Sequence, residues 1–193
     1  RITAVVQQAE ESSRVAETRR NLFVRFDQAE VAFCRQINRS AHRLPVRRFF
    51  ACVSRLGNGV FWYTLLLILL LVHGLHGLKP LLHIIAVGLA GVVVYKVLKC
   101  NLIRERPFIM ARDILCGSPP LDRYSFPSGH TLHATSFSIL IMYYFPAFGW
   151  VVLPFAVLVA LSRVVLGLHY PTDVLAGAAI GGALASGSLL LVG

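Results

Sequence analysis

Residues 60–72 read VFWYTLLLILLLV, without a single charge, and four further apolar stretches of similar character follow along the chain. This repetition limits the possible folds more than any other feature. About 20 apolar residues in a helix cross a bilayer core, and stretches of roughly that length are expected to span at 57–75, 81–100, 129–146, 149–168 and 172–192. Composition agrees: 56% of the 193 residues are hydrophobic and 15% are charged, with a mean hydropathy of +0.66, which is far too apolar for a soluble domain of this size. The expected fold class is all-α, a polytopic membrane helix bundle of about five to six transmembrane helices preceded by N-terminal amphipathic helices. Two units follow: interfacial helices over 1–56 and a transmembrane core over 57–193. No short apolar stretch after a basic start marks a cleavable signal peptide.

The net charge of +10 is unevenly spread, with residues 1–56 holding 11 Lys+Arg against 5 acids. Nucleic acid is excluded as a partner, because the arginines lie along helices beside membrane spans rather than among exposed aromatics. Anionic lipid head groups and the positive-inside effect account for the excess. Between Asn21 and Asn38, Phe23, Phe26, Phe33 and Ile37 recur at near-helical spacing. That pattern suits an amphipathic helix lying on the membrane or packed against the spans, and neither version carries chemistry. Cys34, Cys52, Cys100 and Cys116 show no CxxC pairing, so neither a zinc site nor a disulfide framework is indicated. Gly177 and Gly181, in GxxxG spacing, point to close helix packing within the bundle.

Counting crossings places four segments on one membrane face: the end of the second span, the start of the third, the end of the fourth and the start of the fifth. Three polar motifs collect there. In KCNLIRERP, Lys99 and Arg106 are seven residues apart, a spacing that on a helix directs both cations the same way before Pro107 turns the chain. In YSFPSGHTLHATS, Pro127, Ser128, Gly129 and His130 fall at the start of the third span, where free N–H groups and the helix dipole favour an anion. In SRVVLGLHYPTD, Arg163 lies within an apolar helix, where an unpaired charge suggests function. His169 follows in the turn, with Asp173 close enough to fix its tautomer. Three cations, an anion-accepting helix start, two histidines and a carboxylate form the set that phosphoryl transfer needs.

These motifs resemble the type 2 phosphatidic acid phosphatases, whose signature is KxxxxxxRP, PSGH and SRxxxxxHxxxD; all three parts stand in order between Lys99 and Asp173. The resemblance implies a metal-independent mechanism without a cofactor. His169 would attack phosphorus to give a phosphohistidine, Asp173 would orient it, and His130 would protonate the leaving group and later activate water. Lys99, Arg106, Ser128, Gly129 and Arg163 would bind phosphate, and Pro107 and Pro127 would shape the loops. It further implies a membrane lipid phosphate substrate of the undecaprenyl pyrophosphate, phosphatidylglycerophosphate or phosphatidic acid type, in the bacterial inner membrane and without an obligate protein partner. The alternative is a catalytically silent lipid-phosphate binding or transport protein, which would show erosion at His130, His169 or Asp173, and all three are intact.

Other polar residues take plainer readings. His133 is read as a satisfied helix histidine. His73, His76 and His83 fall towards the opposite face. Arg104, Arg112 and Arg123 either touch a head group or are solvated. The membrane face of the site stays open: bacterial relatives of the family are expected to work at the outer face of the inner membrane, whereas the arginine-rich N-terminal segment, on the active face, argues for the cytoplasmic side. An extra crossing within residues 20–56 would reverse that second argument.

Overall fold

The computed structural model describes residues 27–192, and among these every regular element is helical. The helices are α1 over 27–38, α2 (Leu44–Arg55), α3 (Phe61–His73), α4 (Leu78–Asn101), the single turn α5 (Pro107–Met110), α6 (Gly129–Tyr144), α7 (Gly149–Val165) and α8 (Pro171–Val192). Residues 1–26, with Phe23 and Phe26 of the expected amphipathic helix, lie outside the described residues.

Sequence punctuation sets most helix ends. Pro45 and Pro171 stand in first turns, where their missing N–H costs nothing. The Ser128 side chain caps α6 by accepting from the Thr131 N–H at 3.5 Å. Glycines close two helices earlier than the hydropathy implied. The first expected span, 57–75, shrinks to α3 because Gly74 takes φ +56°, and the fourth, 149–168, stops at Val165 because Gly167 at φ +71° turns the chain. Between α2 and α3 the chain passes through a π-type turn, Leu56–Val60, in which Gly59 has φ +132°.

Among the described residues, three helical stretches are long and apolar enough to cross a membrane: Leu44–Asn101, which the turns at Gly59 and Gly74 divide, Pro146–Val165 and Pro171–Val192. Helix α6 lies at the centre, packed on α8, α7 and α4. Trp62, Leu69, Ile84, Leu140, Ile141, Val152 and Val159 fill the core, while Leu71, Trp150 and Leu190 point outwards. Outward apolar side chains suit hydrocarbon surroundings, in which helix association depends on close packing rather than on exclusion of water. The GxxxG pair supplies that packing within the bundle, as expected: Gly177 lies against the Ser128 carbonyl and Gly181 against the Leu132 carbonyl.

Candidate active site

Lys99 sits in the last turn of α4, but that helix ends at Asn101, so helical register does not align it with Arg106. Residues 103–106 are non-helical, and Arg106 becomes the N-cap of α5. The two cations meet instead on a carboxylate. Asp122 Oδ1 accepts from Lys99 Nζ at 2.5 Å and from Arg106 Nη2 at 2.5 Å. Lys99 also donates to the Tyr124 carbonyl, and Arg106 to the carbonyls of Asp122 and Leu168. Burial pushes the Asp122 carboxyl up, yet the bond from Lys99 and the charges of Lys99 and Arg106 outweigh it and hold it below the usual carboxylate range.

Arg163 projects from the end of α7, 2% exposed; its guanidinium donates to the Ser54 hydroxyl, while its Nε has no hydrogen-bond partner. No carboxylate among the described residues forms an ion pair with it. His169 stands in the α7–α8 turn with Nε2 3.4 Å from Arg106 Nη1. Its Nδ1 lies 3.6 Å from Asp173 Oδ2, beyond hydrogen-bond length. Burial, followed by the charges of Arg163, Arg106 and Lys99, holds the imidazole well below the ordinary histidine range, so it is neutral at pH 7. His130, in the first turn of α6, is hydrogen-bonded through Nε2 to Asn58 Oδ1.

A cavity of about 880 Å³ joins these groups to the apolar interior. Lys99, Arg106, Gly129, His130, Arg163 and His169 line its polar end, and Trp62, Leu66, Leu70, Leu81, Ile85 and Leu89 line the remainder, between α3 and α4. Three buried cations facing one carboxylate leave an excess of positive charge, which a low-dielectric site tolerates when an anion neutralises it.

Ser128, Asp173, Pro107 and Pro127 lie behind this lining, whereas His133 forms part of it. The Ser128 hydroxyl is engaged with Thr131, and its N–H donates to the Asp173 carbonyl at 3.0 Å, tying the second motif to the third. Asp173 is fully buried behind His169. Pro107 starts α5, and Pro127 follows a cis peptide bond directly before the cap. His133 places Nδ1 2.8 Å from the Gly129 carbonyl and Nε2 3.1 Å from the Gly88 carbonyl, bridging α6 to α4 as a satisfied histidine.

Four partners were not legible in the motifs: Asp122, Ser54, Asn58 and Glu30. Arg104, read from the sequence as touching a head group or solvated, is held by carboxylates of the protein. It is half-buried and paired with Asp173 and Glu30. Glu30 belongs to α1, so the N-terminal helix, read from the sequence as carrying no chemistry, contacts the loop that holds Arg104. Glu30 at one end of residues 30–58, and Ser54 and Asn58 at the other, all contact residues of the site.

The bundle and its cation-lined cavity define a polytopic helical membrane protein with buried cations gathered at one end of an apolar cavity. Residues 79–193, more than half of the chain, match the PAP2 superfamily, and the chain belongs to that family. It is 34% identical over 97 residues to undecaprenyl-diphosphatase BcrC of Bacillus subtilis, covering 50% of each chain. Decaprenylphosphoryl-5-phosphoribose phosphatase of Mycolicibacterium smegmatis is 40% identical over 90 residues, 46% of this chain and 44% of the relative. The chain thus spans about half the length of the curated relatives it matches. Among solved structures, Aquifex aeolicus LpxE superposes with a TM-score of 0.70 at 29% identity, over 82% of this chain and 93% of that one. A transmembrane PAP2-type phosphatidylglycerolphosphate phosphatase from Bacillus subtilis gives 0.69 at 25% identity, over 86% of each chain.

Proposed function

We propose that this protein is an integral membrane lipid phosphatase that hydrolyses a phosphate or pyrophosphate monoester through a phosphohistidine, with residues 57–193 as the catalytic core and residues 1–56 as an interfacial unit. The observation that carries this reading is the convergence of three buried cations and two histidines at one end of a cavity whose other end is apolar. A phosphorylated head group matches the cations, and a hydrocarbon tail matches the slot between α3 and α4.

Lys99, Arg106, Arg163 and the start of α6 at Ser128 and Gly129 hold the phosphoryl oxygens. The His169 Nε2 lone pair forms the N–P bond as the P–O bond to the leaving group breaks, and His130 donates its proton to the departing oxygen. Asp173 steadies the imidazole through Nδ1. In the second half-reaction His130 takes a proton from water, whose oxygen attacks phosphorus, and the N–P bond breaks to regenerate His169. Pro107 and Pro127 shape the loops that carry Arg106 and Ser128. No residue in this account calls for a metal. The names of the relatives support a prenyl diphosphate as the first substrate class to test, ahead of phosphatidylglycerophosphate, phosphatidic acid and lipid A. The bacterial inner membrane is the proposed location.

The test is phosphate release by detergent-purified protein across those four substrates, with EDTA present and His169→Ala as control. Release by the wild type and none by the variant is expected. Activity retained in His169→Ala would sink the nucleophile assignment, and loss of activity on chelation, restored by one divalent metal, would contradict the metal-free route.

A further inference from the structure

Helix α1 lies outside the matched family region, yet one of its faces grips the turn that carries His169. Glu30, Cys34 and Asn38, spaced four apart and therefore stacked along one side of a helix, are all buried. Asn38 bridges the chain on both sides of the site, donating to the carbonyls of Leu115 and Val165 and accepting from the Leu115 N–H. Cys34 Sγ lies 4.0 Å from the His169 carbonyl. Glu30 makes the contacts with chemical consequence. Its Oε1 accepts from the Thr172 N–H at 2.9 Å and hydroxyl at 2.7 Å, and its Oε2 accepts from Arg104 Nη2 at 2.5 Å.

Arg104 passes the contact on. Its Nη1 donates to Thr172 Oγ1 at 2.7 Å and to Asp173 Oδ1 at 2.8 Å, and its guanidinium lies 4.0 Å from the centre of the Tyr170 ring. The other Asp173 oxygen accepts from the Tyr170 N–H at 2.8 Å and faces His169. A fully buried carboxylate needs a cation and hydrogen-bond donors to stay ionised, and among the described residues Arg104 is the arginine paired with it. Glu30 in turn sets where the guanidinium sits and balances its charge, so that Arg104 does not draw the Asp173 charge away from the imidazole.

We propose that Glu30 and Arg104 are positioning residues for the reaction, acting through Asp173 on His169, and that α1 is an integral part of the active site. The inference rests on the roles assigned above to His169 and Asp173. It extends them to residues outside the three motifs, Arg104 occupying an unspecified position of the first motif and Glu30 lying well before it.

The experiment is a double-mutant cycle on the detergent-purified full chain with farnesyl diphosphate as substrate. Residues that orient metal-ligating histidines change activity by about 10- to 100-fold when replaced, and an effect of that order is expected for residues that orient His169 through Asp173. Glu30→Gln should therefore lower kcat about tenfold with KM within about twofold of wild type. In an Asp173→Ala background the same substitution should change kcat less than about twofold, because the group it acts through is gone. A purely structural role would lower activity by the same factor in both backgrounds. Either that result or an unchanged kcat for Glu30→Gln in the wild-type background overturns the proposal. Should Glu30→Gln not purify as a folded protein, Arg104→Lys, which keeps the charge but loses the fork, carries the same cycle. Wild-type and His169→Ala proteins run alongside: full activity in His169→Ala defeats the reading of the site itself, whereas an inactive His169→Ala beside fully active Glu30 variants defeats only the positioning role.

Discussion

Replacing Gly181 with alanine adds one methyl group, and the structure gives its effect a size. A Cβ at Gly181 would stand 2.2 Å from the Leu132 carbonyl oxygen, 3.0 Å from its carbon and 3.1 Å from its Cα, whereas real Cβ contacts essentially never fall under 3.0 Å. Backbone cannot swing aside as a side-chain tip can, so α8 must move away from α6 by at least about 0.8 Å. Overpacking of this kind costs about 1–3 kcal/mol. The same movement strains the 3.0 Å bond from the Ser128 N–H to the Asp173 carbonyl, which joins the start of α6 to the segment that follows His169. A misplacement of about 1 Å between catalytic groups costs about 100-fold in rate. Gly181→Ala should thus lower the melting temperature in detergent and reduce kcat by between ten- and about 100-fold. The neighbouring glycine is the control. A Cβ at Gly182 meets only Ile139 Cδ1 at 3.9 Å, so Gly182→Ala should leave kcat unchanged and raise helix stability by about 0.5–1 kcal/mol. Wild-type melting and turnover in Gly181→Ala, or equal effects of the two substitutions, would refute the close-approach argument.

Three further outcomes follow from the site. Asp122→Asn frees Lys99 and Arg106 from a competing carboxylate, and inhibition by orthovanadate should tighten about tenfold, equivalent to about 1.4 kcal/mol; weaker inhibition would mean that Asp122 holds the two cations in place instead of competing for them. His169 resists protonation when folded, so the unfolded chain binds more protons below the ordinary histidine value of 6.5, and stability is greatest above that pH and falls as the pH drops towards the folded value. The slope of melting temperature against pH between 5 and 7 (roughly the window of histidine titration) should flatten in His169→Gln, and an unchanged slope would contradict the burial argument. Exposed Cys116 reports the membrane face. Counting Arg39, Arg43, Arg47, Arg48 and Arg55 by the positive-inside rule predicts a cytoplasmic site, and an impermeant maleimide applied to intact cells should then leave Cys116 unlabelled in a variant lacking the other three cysteines. Labelling would place the site outwards and assign the arginines to lipid head groups instead.

Much of the site was legible because its chemistry is written in local spacing. Ser128 before Gly129 and His130 marks a capped helix start whatever packs around it, and Pro171 two residues before Asp173 does the same for α8. Uncharged stretches near the length of a membrane crossing fixed the all-helical class, and small residues at Gly177 and Gly181 announced a close approach. Where spacing alone failed, a glycine or a break intervened. Lys99 and Arg106 converge although α4 stops between them, because Asp122, from a different loop, bonds to both. Gly167 ends α7 early through a positive φ that hydropathy does not register.

What the sequence by itself determined is the bilayer-spanning helical class and the identity and order of the motif residues that line the cavity, since both depend on residue type over short windows. Only the tertiary structure decided which distant residues complete them. Glu30 pairs with Arg104 across 74 positions, Ser54 with Arg163 across 109 and Asn58 with His130 across 72. No local periodicity encodes such pairs, because each arises where helices from separate parts of the chain bury polar groups that must find partners in one another.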